Sequence, residues 1–176
     1  MTKAEFIQYV QNWRTELVDG CGFDVLPLLT VNFDNRVGSL GRCHKREKRN
    51  YAILTFSEEL LNLIDDDDNG GFECAREVVL HELCHAIRGN VGHGSRFKMY
   101  ANEINIRYGA SIATKLSKDN SDVWRETMLK NGKYKYLITC DCGRIHTYKT
   151  RKCGVVNNPE RYYCKTCGYT LKVEEL

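Results

Sequence analysis

The chain has 176 residues, a formal net charge of +3, 42% hydrophobic residues and nine cysteines. A chain of this size buries about 70% of its unfolded surface, so one domain, or one domain with a small appendage, keeps a core without disulfides and the cysteines need another account. No run reaches membrane-spanning length and the opening MTKAEFIQYVQNW has no apolar stretch of the signal-peptide kind, so the expected location is reducing, cytoplasmic or in a eukaryote nuclear, where close cysteines more often hold metal than pair.

Thr2 and Glu5 form a capping box, and Phe6, Val10, Trp13 and Leu17 recur at helical spacing. They predict a first helix ended by Gly20 and Gly22. β-Prone runs at 29–33, 37–43 and 51–56, separated by Asp34-Asn35 and a polar stretch, predict a small three-stranded meander. Ser57 then caps a helix over 58–64. The acidic run 65–68 lacks the alternating ligands and distal Glu of a calcium loop, and reads as a solvated loop.

The most apolar helix is predicted over 72–88, with Ala75, Val78, Val79, Leu83, Ala86 and Ile87 on a wide buried face and Gly89 as C-cap. A further helix over 95–109 carries Phe97, Ala101, Ile104 and Tyr108, followed by a shorter helical stretch over 124–129. The texture changes at Asn131-Gly132 to alternating, β-rich sequence punctuated by cysteine pairs. The expected organisation is an α+β domain over 1–132 and a small β-rich domain over 133–176.

Within the apolar helix stands His81-Glu82-Leu83-Cys84-His85. Residues four apart share a helix face at about 6 Å, so two imidazoles can take adjacent corners of one zinc tetrahedron. Glu82 projects about 60° around the helix from His85, suited to a general base and not to a ligand. Zinc acidifies water and polarises a carbonyl, so this set points to amide hydrolysis without a covalent intermediate. A catalytic zinc needs a third protein ligand. His93, eight residues after His85 and flanked by Gly92 and Gly94, and Glu103, eighteen residues after His85, are the two candidates.

Cys140-Asp141-Cys142-Gly143 and Cys164-Lys165-Thr166-Cys167-Gly168 read as the two turns of a zinc ribbon. His146 and Cys153 lie between the pairs as alternative ligands. A tail this short buries little core, so metal binding supplies its folding energy. From Lys133 onward there are nine Lys or Arg against four Asp or Glu. Arg144, Lys149, Arg151, Lys152, Arg161 and Lys165, interleaved with Tyr148, Tyr162, Tyr163 and Tyr169, suit phosphate contacts and base stacking on unpaired nucleic acid. A second basic cluster spans 42–49.

His81-Glu82-Leu83-Cys84-His85-Ala86, followed by His93-Gly94-Ser95-Arg96-Phe97, resembles the SprT-like metalloprotease family. So do Val31-Asn32-Phe33, Asn35-Arg36, Gly41-Arg42-Cys43 and Ile53-Leu54-Thr55-Phe56-Ser57 upstream. The resemblance implies a zincin-like domain whose catalytic zinc is held by His81, His85 and His93, with Glu82 as the catalytic residue. It implies a ribbon with structural zinc on Cys140, Cys142, Cys164 and Cys167, leaving Cys153 a spare thiol. The expected function is a zinc endopeptidase acting on DNA-bound or DNA-crosslinked proteins, with two zinc ions per chain and protein and single-stranded DNA as partners. The rival is a nucleic-acid-binding ribbon protein on a non-catalytic protease-like scaffold, which would not need Glu82.

Overall fold

The computed structural model describes residues 1–35, 39–65, 70–114, 129 and 132–176, grouped in two compact units, Met1–Arg125 and Glu126–Leu176. The first unit begins with α1 (Lys3–Asp19). Its Thr2–Glu5 capping box forms as expected, and Phe6, Val10 and Leu17 are buried. Phe6 meets Phe33 and Phe56 edge-on, at ring-centroid distances of 5.6 and 5.1 Å, which seats the helix on the sheet.

That sheet comprises β1 (Leu28–Asp34), β2 (Gly41–Arg46) and β3 (Tyr51–Ser57). The expected meander is corrected here. The order is β1-β3-β2, with β1 parallel to β3 and only β2 antiparallel to it. Burial decides which strand is central. β3 buries Ala52, Leu54 and Phe56 at alternate positions, whereas β2 exposes Arg42, His44 and Arg46 at its alternate positions and so suits an edge. β2 also runs further along the chain than expected, because pairing of His44 with Ile53 and Arg46 with Tyr51 draws a polar stretch into the ladder. Positions 37 and 38 of the expected second strand lie outside the described residues.

Three helices follow: α2 (Glu59–Asp65), α3 (Gly71–Ala86) and α4 (Ser95–Tyr108). The Ser57 hydroxyl accepts from the Glu59 N–H at 3.3 Å. α3 stops two residues before the expected end, because Ile87 bridges to Val25 and the Arg88 N–H donates to the Asp24 carbonyl. That tertiary pairing takes the backbone groups a further helical turn would have used. The expected helix over 124–129 lies outside the described residues except for Leu129, and so does most of the acidic loop.

The second unit holds β4 (Tyr136–Thr139), β5 (Ile145–Lys149), the single turn α5 (Gly154–Asn157) and β6 (Lys172–Glu175). Its sheet order is β5-β4-β6, antiparallel throughout. Among its described residues, Tyr136, Ile138, Cys140 and Cys164 are the buried apolar side chains. A core so small leaves the cysteines to carry the cohesion.

Candidate metal centres

α3 is held by its apolar face, where Val79, Leu80, Leu83 and Ala86 are fully buried, and this turns His81 and His85 together into a cleft of ≈ 690 Å³. Past the helix end the chain bends through Gly89 and Gly92, at φ 71° and 59°, where only glycine is at ease. The bend returns His93 to the same point. The three Nε2 atoms form a triangle: His81 to His85 3.2 Å, and His93 to each of the others 3.0 Å. Phe97 of α4 closes the base, with its ring centroid 4.9, 4.7 and 4.8 Å from those of His81, His85 and His93.

The triangle fits zinc. Nitrogens about 2.0–2.1 Å from a tetrahedral ion stand about 3.3 Å apart, close to the edges found. The His81 Nδ1–H donates to the Ala113 carbonyl at 2.9 Å. Its Nε2 therefore carries a lone pair aimed at the triangle's centre. Three ring nitrogens this close cannot all hydrogen-bond to one another, since each holds either a proton or a lone pair, and a central cation would satisfy three lone pairs at once. Burial, aided by the neighbouring imidazoles, holds His81 and His85 down to about 4, so both are neutral donors at pH 7.

Glu82 lines the same cleft and is only 6% exposed. Burial pushes its carboxyl up to about 8, against the opposing hydrogen bond from the Cys43 N–H. A carboxyl poised there exchanges protons near neutral pH. Gly41 of β2 lies against its side chain.

The loop between His85 and His93 is clamped from β2. Lys45 Nζ donates to the Ile87 carbonyl at 2.9 Å and to the Asn90 carbonyl, and pairs with Glu47 at 2.8 Å. Glu47 Oε1 accepts from the Gly89 N–H at 2.9 Å. Buried Asn90 donates to the Cys84 carbonyl at 2.8 Å. Of the basic cluster over 42–49, Lys45 is thus committed within the fold and Arg42 pairs with Asp34 at 2.8 Å, while Arg46, Lys48 and Arg49 are exposed.

In the second unit the sulfurs of Cys140, Cys142, Cys164 and Cys167 all lie within 4.8 Å of one another. Cys142 to Cys164 and Cys167 to Cys140 are each 3.9 Å apart, near the roughly 3.8 Å edge of a tetrahedron with Zn–S of about 2.3 Å. Cys140 and Cys142, separated by one residue, are closer at 2.7 Å. Each pair sits on a tight turn ending in a glycine with positive φ, Gly143 at 76° and Gly168 at 74°. N–H groups of Cys167 and Thr166 donate to Cys164 and pull its thiol down to about 5, favouring the thiolate a metal needs.

The structure therefore brings together His81, His85 and His93, with Glu82 in the same cleft, and the four tail cysteines. Glu103 stands elsewhere, in a shallow groove on the exposed face of α4 with Met99 and Ile106. Cys153 and His146 are outside the sulfur cluster. Arg144, Arg151, Lys152, Arg161 and Lys165 are exposed and Lys149 is half-buried. Sequence reasoning missed the roles at the site of Gly41, Lys45, Glu47 and the Ala113 carbonyl. These act through the backbone or across long chain separations, where no spacing rule marks them.

Among the described residues no helix is long and apolar enough to cross a membrane. Residues 7–116 match the family model described as SprT-like family, which spans all three histidines and leaves the cysteine unit outside. No curated protein matches the chain.

Proposed function

The chain belongs to the SprT-like family, and from that premise we propose that it is a zinc-dependent endopeptidase with Glu82 as general base, acting on proteins bound or crosslinked to DNA. The observation that carries the reading is the histidine triangle with a buried carboxyl beside it in one open cleft. His81, His85 and His93 would hold the ion, leaving a fourth position open toward the cleft. When bound, zinc lowers the pKa of water and polarises a carbonyl.

Glu82 takes a proton from the water that adds to the scissile carbonyl carbon, and returns it to the amide nitrogen as the C–N bond breaks. Burial raises its carboxyl above the ordinary carboxylate range, which strengthens it as a base toward the water and lets it hold the proton until the amine leaves. The products are a carboxylic acid and an amine, with no covalent intermediate on the chain.

The tail is the proposed recruiting element, folded around a second, structural zinc on Cys140, Cys142, Cys164 and Cys167. Supporting this, Tyr163 and Tyr169 are 63% and 61% exposed, with Arg161 and Lys165 beside them in the chain. Exposed rings among cations suit single-stranded nucleic acid. Four thiolates on one divalent ion remove about two charges from the tail, so binding should be modest and salt-sensitive.

The deciding experiment compares wild type and Glu82→Gln on a disordered protein substrate, with and without single-stranded DNA. Cleavage by the wild type alone, increased by DNA, is the expected result. Equal inertness under every condition would remove the enzyme and leave a nucleic-acid-binding scaffold.

A further inference from the structure

Residues 111–113 run beside α3 without belonging to either sheet, yet four of the six backbone N–H and C=O groups of this segment are paired with side chains of α3 and α4. The Ser111 N–H and hydroxyl donate to Glu77 of α3. The Ile112 N–H donates to Asn105 Oδ1 at 2.7 Å, and Asn105 Nδ2 donates to the Ile112 carbonyl at 3.0 Å. The Ala113 carbonyl accepts from His81 Nδ1 at 2.9 Å. Just upstream, Arg76 donates to the Gly109 carbonyl at 3.1 Å. Side chains of α3 and α4 here do what a neighbouring strand does in a ladder.

The spacing explains the match to α3. Glu77 and His81 are one helical turn apart, about 6 Å along one face, and residues two apart in extended chain are about 6.6 Å apart. Ser111 and Ala113 therefore meet the two positions in register. Asn105 fixes that register from the other side. It uses its one amide as both donor and acceptor toward the N–H and carbonyl of a single residue, which Asp at neutral pH cannot do for want of a donor. The side chain of Ile112, 6% exposed, anchors the same residue in the core.

We propose that Asn105 is a positioning residue for the histidine centre: by pairing with both backbone groups of Ile112 it holds the Ala113 carbonyl on His81 Nδ1, so that His81 presents Nε2 to the metal. The inference rests on the reading of His81 as a ligand. Asn105 touches neither metal nor substrate. It acts by removing the rotational and tautomeric freedom of one imidazole through the Ala113 carbonyl, and loss of a direct partner of that kind costs about 10- to 100-fold in metal affinity, which is the ceiling for Asn105 one bond further out.

The test uses the full chain and zinc itself, titrated in competition with a chromophoric chelator, with Co2+ absorption separating the nitrogen site from the sulfur site. Asn105→Ala should lose about 10-fold in zinc affinity at the histidine site, the low end of the range for a direct partner, and nothing at the cysteine site. Asn105→Asp, which keeps the acceptor for the Ile112 N–H, should fall between, and Asn102→Ala on the exposed face of α4 should match wild type. Imidazole 15N spectra of the metal-free chain add a readout that a merely structural role would not move: His81 is the Nδ1–H tautomer in wild type and a mixture in Asn105→Ala. Affinity within twofold of wild type in a folded Asn105→Ala, or a wild-type His81 protonated on Nε2, overturns the proposal. If Asn105→Ala does not fold, Asn105→Asp and the wild-type tautomer decide. His81→Ala separates the two layers: unchanged zinc affinity there sinks the ligand reading itself, whereas its loss beside an inert Asn105→Ala sinks the positioning role alone.

Discussion

Gly41, at the start of β2, lies against Glu82 so closely that a Cβ at position 41 would stand 2.7 Å from Glu82 Cγ and 3.0 Å from its Oε1. Val78 Cγ1, 3.1 Å away on the same helix, blocks an easy escape. The glycine is needed for space, since its backbone is not left-handed. Gly41→Ala should push the carboxylate off line while leaving the three histidines in place. A displacement of about 1 Å costs on the order of 100-fold. The expected result is a fall of that size in kcat/KM at unchanged zinc content, and equal loss of zinc would show that the contact serves the fold instead.

Metal analysis should find two zinc ions per chain. His81→Ala should lose one and Cys164→Ser the other, each leaving its counterpart bound, because the two ligand sets share no residue. A count of one in wild type would abolish one of the centres outright.

Glu82 makes the stability of the metal-free chain depend on pH with a definite sign. Its folded pKa is raised from 4.5 to about 8, so between these values the folded state holds more protons than the unfolded one and stability falls as pH rises. Glu82→Gln mimics the protonated form. In urea unfolding with chelator present, its advantage over wild type should be absent below pH 4.5, open through that window and level off above pH 8 at a few kcal/mol, at about 1.4 kcal/mol per unit. An advantage that does not change with pH would mean the carboxyl is ordinary.

Lys45 and Glu47 tie the loop carrying His93 to β2. Lys45→Met should cost about 1–3 kcal/mol of stability, since hydrogen bonds to charged groups are of that size. It should also weaken zinc binding at the histidine site more than at the cysteine site. Thermal melts with zinc present and absent check both, and equal destabilisation in the two conditions would show that the clamp serves the fold and not the ligand.

Much of this was readable in the linear chain wherever the controlling interaction is local. The capping box of α1, the helical phase that puts His81 and His85 on one face, and the two glycine-ended cysteine turns all depend on spacings of two to four residues. The choice between His93 and Glu103 was not readable at that range. It turns on a bend at Gly89 and Gly92 and on a clamp from a strand about forty residues earlier, while Glu103 is carried away on the solvent face of α4 because Phe97, Ala101 and Ile104 take the inner one.

By itself, then, the sequence determined which side chains could meet a metal and what chemistry they could support, since backbone periodicity sets that within a turn or two. Only the tertiary structure decided that β3 and not β2 is the central strand, that His93 completes the triangle, that Gly41 leaves room for Glu82 and that Ala113 orients His81. Each of these is a contact between elements far apart in the chain, settled by which apolar faces bury together and which backbone groups are left to pair.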